Sequence, residues 1–248
     1  MDQADENKEL PEESIAILRR QYVADPNNVD LAQELIHQLQ TEGAFALDRG
    51  RYQDAARLFE ETIDIAKRLS RDKNAASLVS PTVCDAGFDL FDCYFKLGNF
   101  DAAKRVDAEL LVPLTQELEK QGSNTPSDRL FKAGFYIAHG EVVAESGDLK
   151  KARDLFSRSL ILFEQNLGVR DFPQEKACYG EALAEFGRVL WRGGELELGI
   201  EYIERGLRTM HAYRDSGLIL VPGFSAEVSE AEDDLRRYQE EMWNRRSN

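Results

Sequence analysis

Four glycines recur along this chain at nearly equal intervals: Gly50, Gly98, Gly147 and Gly194, separated by 48, 49 and 47 residues. Residue types hold their places around each of them. Two positions later stand Tyr52, Phe100, Leu149 and Leu196, and five positions later Ala55, Ala103, Ala152 and Gly199. Four positions earlier come Ala46, Tyr94, Val143 and Leu190, and seven earlier Gly43, Phe91, Gly140 and Gly187. A repeat of this length decides the whole fold, because each unit buries its apolar face only against its neighbours. The stretch from Gly140 to Ala152 is the clearest copy. A glycine inside a helix costs about 1 kcal/mol relative to alanine, so Gly140 predicts a place where two backbones approach. Gly147-Asp148 then reads as a turn, and Ala152 as the small contact of the returning helix. The repeat therefore predicts four helix hairpins.

The remaining signals fit around them. Residues 1–10 are acidic and polar and are expected to be disordered. Pro11-Glu12-Glu13 begins a lone helix over 11–25 whose apolar face is Ile15, Ile17, Leu18 and Tyr22. The first hairpin, over 29–70, carries Leu31, Leu35, Leu39, Gly43 and Ala46 outward and Ala55, Leu58, Phe59, Ile63, Ala66 and Leu69 on the return. A connector over 71–80 leads to Pro81, read as the start of the second hairpin. Pro113 falls inside that hairpin's returning helix and should kink or break it near Leu110. The polar loop 121–126 precedes the third hairpin, whose return shows Ala152, Leu155, Phe156, Leu160 and Leu162. Residues 168–173 lead into the fourth hairpin. Gly199 and Gly206, seven apart on its returning helix, mark a face where another helix lies close. The connector 217–224 is apolar and is expected to fold back on the last repeat. Ser225 then caps a final helix to about Trp243, with Glu230, Asp233, Asp234, Arg236, Arg237 and Glu240 on its polar face.

Tyr94 to Ala103, Tyr-Phe-Lys-Leu-Gly-Asn-Phe-Asp-Ala-Ala, follows the pattern Gly-x-x-Tyr-x-x-x-Gly-x-Phe-x-x-Ala with Phe91 at its first glycine, and resembles a tetratricopeptide repeat. Asp25-Pro26-Asn27-Asn28 is similar to the proline-bearing junction between such repeats. The family repeat is about 34 residues, and the 47 to 49 here imply a long-period variant. The resemblance covers roughly residues 26–214. It implies an all-α, right-handed solenoid of antiparallel hairpins, about ten helices in all, with a capping segment over 215–248. Residues 1–248 then read as one structural unit.

Function follows from what such an array presents. The resemblance implies that outgoing helices line a concave surface. Counting from each turn glycine places His37, Gln40 and Asp48 there from the first helix and Asp85, Phe88, Asp89, Asp92, Phe95 and Lys96 from the second. Glu141 and Glu145 come from the third, and Glu181, Glu185, Arg188, Trp191 and Arg192 from the fourth. Carboxylates dominate, with Phe88, Phe95 and Trp191 among them, which suits a basic or amphipathic protein segment held by aromatic anchors and steered by charge. The competing reading of the aromatics is core packing, and of the acids a solvated face. A net charge of -15 disfavours nucleic acid or an anionic membrane as partner. Some relatives bind acidic carboxyl-terminal tails through a lysine and asparagine clamp. Only Lys96, Arg188 and Arg192 are cations at these positions and no asparagine accompanies them, so that role is not implied.

Chemistry finds little footing. Gly193-Gly194 lacks the Lys-Ser or Lys-Thr of a phosphate loop, and His37, His139 and His211 are too scattered to share a ligand. Asp85, Asp89 and Asp92 share one helical face but no histidine completes a metal or acid-base site. Cys84, Cys93 and Cys178 form no Cys-x-x-Cys pair and suit reduced core thiols. With no signal segment and no membrane-length apolar run, the expectation is a cytoplasmic, non-enzymatic interaction scaffold without cofactor or metal. The alternatives are a self-associating subunit, joined through Gly199, Gly206 or the loop near Leu220, and an enzyme centred on Asp89.

Overall fold

The computed structural model describes residues 12–69, 76–122, 124–167, 173–217 and 224–247. Among them every regular element is helical: α1 (Glu12–Ala24), α2 (Val29–Asp48), α3 (Tyr52–Leu69), α4 (Ala76–Lys96), α5 (Phe100–Val106), a π-helical turn (Asp107–Leu111), α6 (Val112–Gln121), α7 (Pro126–Glu145), α8 (Leu149–Leu167), α9 (Pro173–Arg192), α10 (Leu196–Arg214) and α11 (Phe224–Ser247). Along the sequence no loop separates α5, the π turn and α6, so ten helical segments follow one another among the described residues. Two compact units result, Met1–Val106 and Asp107–Asn248. In each, helices adjacent in sequence pack in pairs, as in an α-solenoid. The expected disordered stretch 1–10, the connector 168–172 and most of the apolar connector, including Leu220, lie outside the described residues.

The hairpin turns are where the repeat signal places them. Gly50, Gly98, Gly147 and Gly194 all have positive φ, between 68° and 89°, a conformation that side chains with a Cβ seldom adopt. Each turn glycine donates its N–H to a carbonyl three residues back, closing the outgoing helix before the next begins.

In the first unit, Asn28 accepts from Leu31 N at 3.1 Å to cap α2, and the core lies between α2, α3 and α4. Leu35, Leu39, Phe59 and Phe91 are fully buried there. A Cβ on Gly43 would stand 2.8 Å from the Phe59 ring, so a large side chain, rather than a second backbone, fills the space this glycine leaves. Helix α1 packs on α2, and Arg19 clasps Glu61 of α3 through two nitrogens at 2.6 and 2.8 Å. Ile15 and Tyr22 are buried as expected, whereas Ile17 is 45% exposed. Ile17 lies roughly 140° around α1 from Tyr22 at 100° per residue, on the side away from α2. Helix α4 starts at Ala76, so Pro81 falls in its second turn rather than at its first residue.

In the second unit, the π turn ends immediately before α6, where Pro113 occupies a first-turn position. The proline ring would press on the carbonyl of Glu109 in a regular helix, and the wider turn relieves that contact; the expected disruption near Leu110 takes this form. Thr125 and Asp128 cap α7 reciprocally, the Thr125 N–H donating to Asp128 at 2.8 Å and the Asp128 N–H to the Thr125 hydroxyl at 3.2 Å. Helices α7, α8 and α9 enclose Ala133, Val143, Phe156, Phe163, Leu183 and Phe186. Gly140 receives the Phe156 ring as Gly43 receives Phe59, at 2.8 Å from a built Cβ.

The fourth hairpin is different. A Cβ on Gly187 would lie 2.6 Å from Gly199 O, and one on Gly206 would lie 2.5 Å from Gly180 O. Here two backbones do meet, along four glycines on facing helices. The helix expected opposite Gly199 and Gly206 is thus α9 of the same hairpin. Helix α11 packs on α10 and touches α9, the relation α9 itself has to α8 and α7. Phe224, Val228, Ala231 and Tyr238 are its buried side.

Candidate functional site

The outgoing and returning helices carry nearly equal numbers of acids and differ in their bases. The outgoing helices α2, α4, α7 and α9 hold 13 Asp and Glu against 6 Lys and Arg. The returning helices, with the π turn, hold 14 against 13. The excess of negative charge therefore lies on the outgoing helices, most of it on α2 and α4, which hold 7 acids against 1 base.

In the first unit, His37 and Asp48 of α2 are exposed and Gln40 is half-buried. On α4, Asp85 and Asp92 are exposed, while Phe88, Asp89, Phe95 and Lys96 are half-buried. These six recur every three or four residues and run along one side of the helix. Phe91 stacks on Phe95 with centroids 5.7 Å apart, and Phe95 meets Phe100 edge-on at 5.3 Å, so a chain of rings leads from the core to the hairpin turn. Burial pushes the Asp89 carboxyl up to about 7, with the charge of Asp85 adding to it. Asp85 is raised as well by the protein packed around it, although its residue surface is exposed. Close by, burial and then Asp92 and Asp89 push the Cys93 thiol up to about 12, which keeps it protonated and unreactive. The Tyr94 hydroxyl donates to Glu60 of α3.

In the second unit, Glu145 of α7 accepts from Arg192 of α9 at 2.6 Å, and Arg192 also donates to Ala144 O at 3.0 Å. Glu141 and Glu181 are half-buried. Arg188 is surrounded: it donates to Glu185 on its own helix and, at 2.5 Å, to Asp234 of α11, with Glu230 of α11 at 3.6 Å. Burial would lower this guanidinium, but the three carboxylates outweigh it and hold it above its ordinary value. Trp191 is buried and lies flat on Tyr238, centroids 4.2 Å apart and planes 2° apart. On α9, therefore, Arg188 and Trp191 are engaged by α11, and Glu185 pairs with Arg188.

Two arrangements are invisible to periodicity. Asp234, expected on a polar face, is mostly buried between Arg188 and Arg237. Asp107 of the π turn is 4% exposed, accepts from or donates to His139 Nδ1 at 2.8 Å, and leaves its second oxygen without a hydrogen bond. Phe135 stacks on the His139 ring at 5.5 Å. The sequence offered one hint: nine residues after the turn glycine the first and third hairpins have Phe59 and Phe156, whereas the second has Asp107.

Among the described residues no group of three or more His, Cys, Asp or Glu is gathered as a metal site requires. None of the three cysteines is in a disulfide. No described helix is long and apolar enough to cross a membrane.

No family model matches the sequence, and no curated protein matches it. Among solved structures, the crystal structure of BtubC (BKLC) from P. vanneervenii is similar over 93% of this chain and 88% of its own, with a TM-score of 0.54 and 15% sequence identity. Identity that low carries the fold and nothing more. The chain thus has an all-helical, repeat-like fold, shared with a solved helical neighbour.

Proposed function

We propose that this protein is a non-enzymatic, tetratricopeptide-like scaffold of the cytoplasm that binds a basic or amphipathic protein segment along its outgoing helices, with α4 as the principal contact. The shortage of basic residues on those helices, which leaves their carboxylates uncompensated, carries the reading. Carboxylates matched by nearby bases leave little net field, whereas carboxylates without them steer a cation to the helices that carry them. On α4 the acids alternate with rings, so a bound helix meets an apolar anchor point and a charge within each turn.

The contact of α11 with α9 supports the same mode. There an outgoing helix already accepts another helix, through one aromatic stack and a set of ion pairs. Helix α4 offers rings with carboxylates, so its ligand supplies arginine or lysine.

The test uses a helical peptide with Lys and Arg flanking aromatic residues one turn apart, and a counterpart with Glu in place of the basic residues. The full chain binds the first and not the second, more weakly at about 0.5 M than at about 0.05 M salt. Replacing Asp85, Asp89 and Asp92 together by Asn weakens that binding. Equal binding of both peptides, or an affinity indifferent to the triple replacement, ends the proposal.

A further inference from the structure

Among the described residues the large apolar side chains left exposed are few, and two groups of them have surroundings of opposite charge. Trp243, near the end of α11, is 72% exposed. Arg236 lies two turns before it on the same stripe and Arg246 one turn after, both about two-thirds exposed, with Glu240 between. Leu97 and Phe100, at the second hairpin turn, are 44% and 38% exposed. The edge-on contact of Phe100 with Phe95 makes them the outer end of an aromatic shelf, and Asp92 and Asp89 follow along α4 within two turns of Phe95.

The spacings agree. Seven residues separate Arg236 from Trp243, and six separate Asp89 from Phe95. At 1.5 Å per residue these are about 10 Å and about 9 Å. A helix laid along α4 with its tryptophan on the Phe95 and Phe100 rings brings its arginine over Asp89. The present partner of Arg236 is Asp233, at 3.2 Å in a pair exposed on both sides, and such a pair is exchanged at little cost.

We propose that Trp243 of one copy docks on the Phe95, Leu97 and Phe100 shelf of a second copy, with Arg236 meeting the α4 carboxylates. This rests on reading α4 as the binding face and names a second copy of this chain as an occupant. The two surfaces are different, so the contact is heterologous and extends into short open assemblies rather than closing as a symmetric pair. A buried tryptophan flanked by arginine is the residue pattern that dominates association energies.

Sedimentation of the full chain tests it. Each copy carries a net charge of -15, so the measurement is made at about 0.15 M salt, where a Debye length of about 8 Å screens whole-molecule repulsion but not pairs in contact. The apparent mass rises with concentration above 28.1 kDa. Trp243→Ala weakens this at least roughly tenfold, without threatening the fold because the side chain is exposed. Phe100→Glu, acting on the other surface, does the same. An equimolar mixture of the two variants forms 1:1 pairs and nothing larger, because each retains one intact surface. A wild-type mass independent of concentration, a Trp243→Ala variant that assembles like wild type, or variants that do not complement overturn the proposal. If the basic peptide still binds α4 in those cases, only this inference falls; loss of peptide binding removes the functional reading itself.

Discussion

The indole of Trp191 and the phenol ring of Tyr238 lie 4.2 Å apart in nearly parallel planes, and this stack seats α11 on the fourth hairpin. Arg188 and Asp234 meet one turn away at 2.5 Å. Rings and charges that a linear reading assigns to a partner thus serve, on α9, to hold the chain's own last helix.

Removing the ring measures that hold. In a Trp243→Phe background, Trp191 is the single tryptophan of the chain. Tyr238→Ala there should shift its emission to longer wavelength and lower stability by about 3 to 5 kcal/mol, the range for losing a buried aromatic. An unchanged spectrum would mean that α11 does not cover Trp191.

The glycine contact between α9 and α10 should tolerate no side chain. Gly206→Ala places a methyl 2.5 Å from Gly180 O and 2.9 Å from Ala184 N. Overpacking of this kind costs about 1 to 3 kcal/mol, more than the roughly 1 kcal/mol of helix propensity gained. Gly193→Ala, whose nearest neighbours stand at 3.4 Å, is the control and should stay nearer to wild type. Urea midpoints compare the two.

The Asp107 and His139 pair is a second point of test. His139→Ala strips the buried Asp107 side chain of its partner at 2.8 Å, and a buried polar group left unsatisfied costs more than the net worth of the bond. A double-mutant cycle with Asp107→Ala should give a coupling of about 1 to 3 kcal/mol. Strict additivity of the two single variants would place the bond outside the folded state in solution.

Asp89 makes stability depend on pH in a fixed sense. In the fold its carboxyl keeps a proton up to about 7, against an ordinary value of 3.8. Between these limits the native state holds the extra proton, so this group's contribution falls as pH rises from about 4 to about 7. Asp89→Asn removes that dependence. Unfolding at pH 5 and pH 8 should therefore show a smaller decline for the variant than for the wild type.

The turns were legible in the sequence because their cause is local. Gly50, Gly98, Gly147 and Gly194 adopt positive φ, and that requirement belongs to one residue at a time. The small and large pairs Gly43 with Phe59 and Gly140 with Phe156 were nearly as visible, since a short turn fixes their register. The pattern also marked Pro113 as a point of disruption, though not that the helix would widen into a π turn rather than stop.

What periodicity alone could not decide was which element fills a given face. Ile17 and Ile15 both fit an apolar stripe, and only the approach of α2 separates the buried one from the exposed one. Asp234 reads as a surface carboxylate until α9 brings Arg188 to it, and Asp107 reads as a helix-surface acid until α7 presents His139. Hairpin geometry is set by residues close along the chain, so composition and spacing determined it. Pairings such as Arg188 with Asp234 join residues 46 apart, and only the packing of whole helices settles which charge meets which.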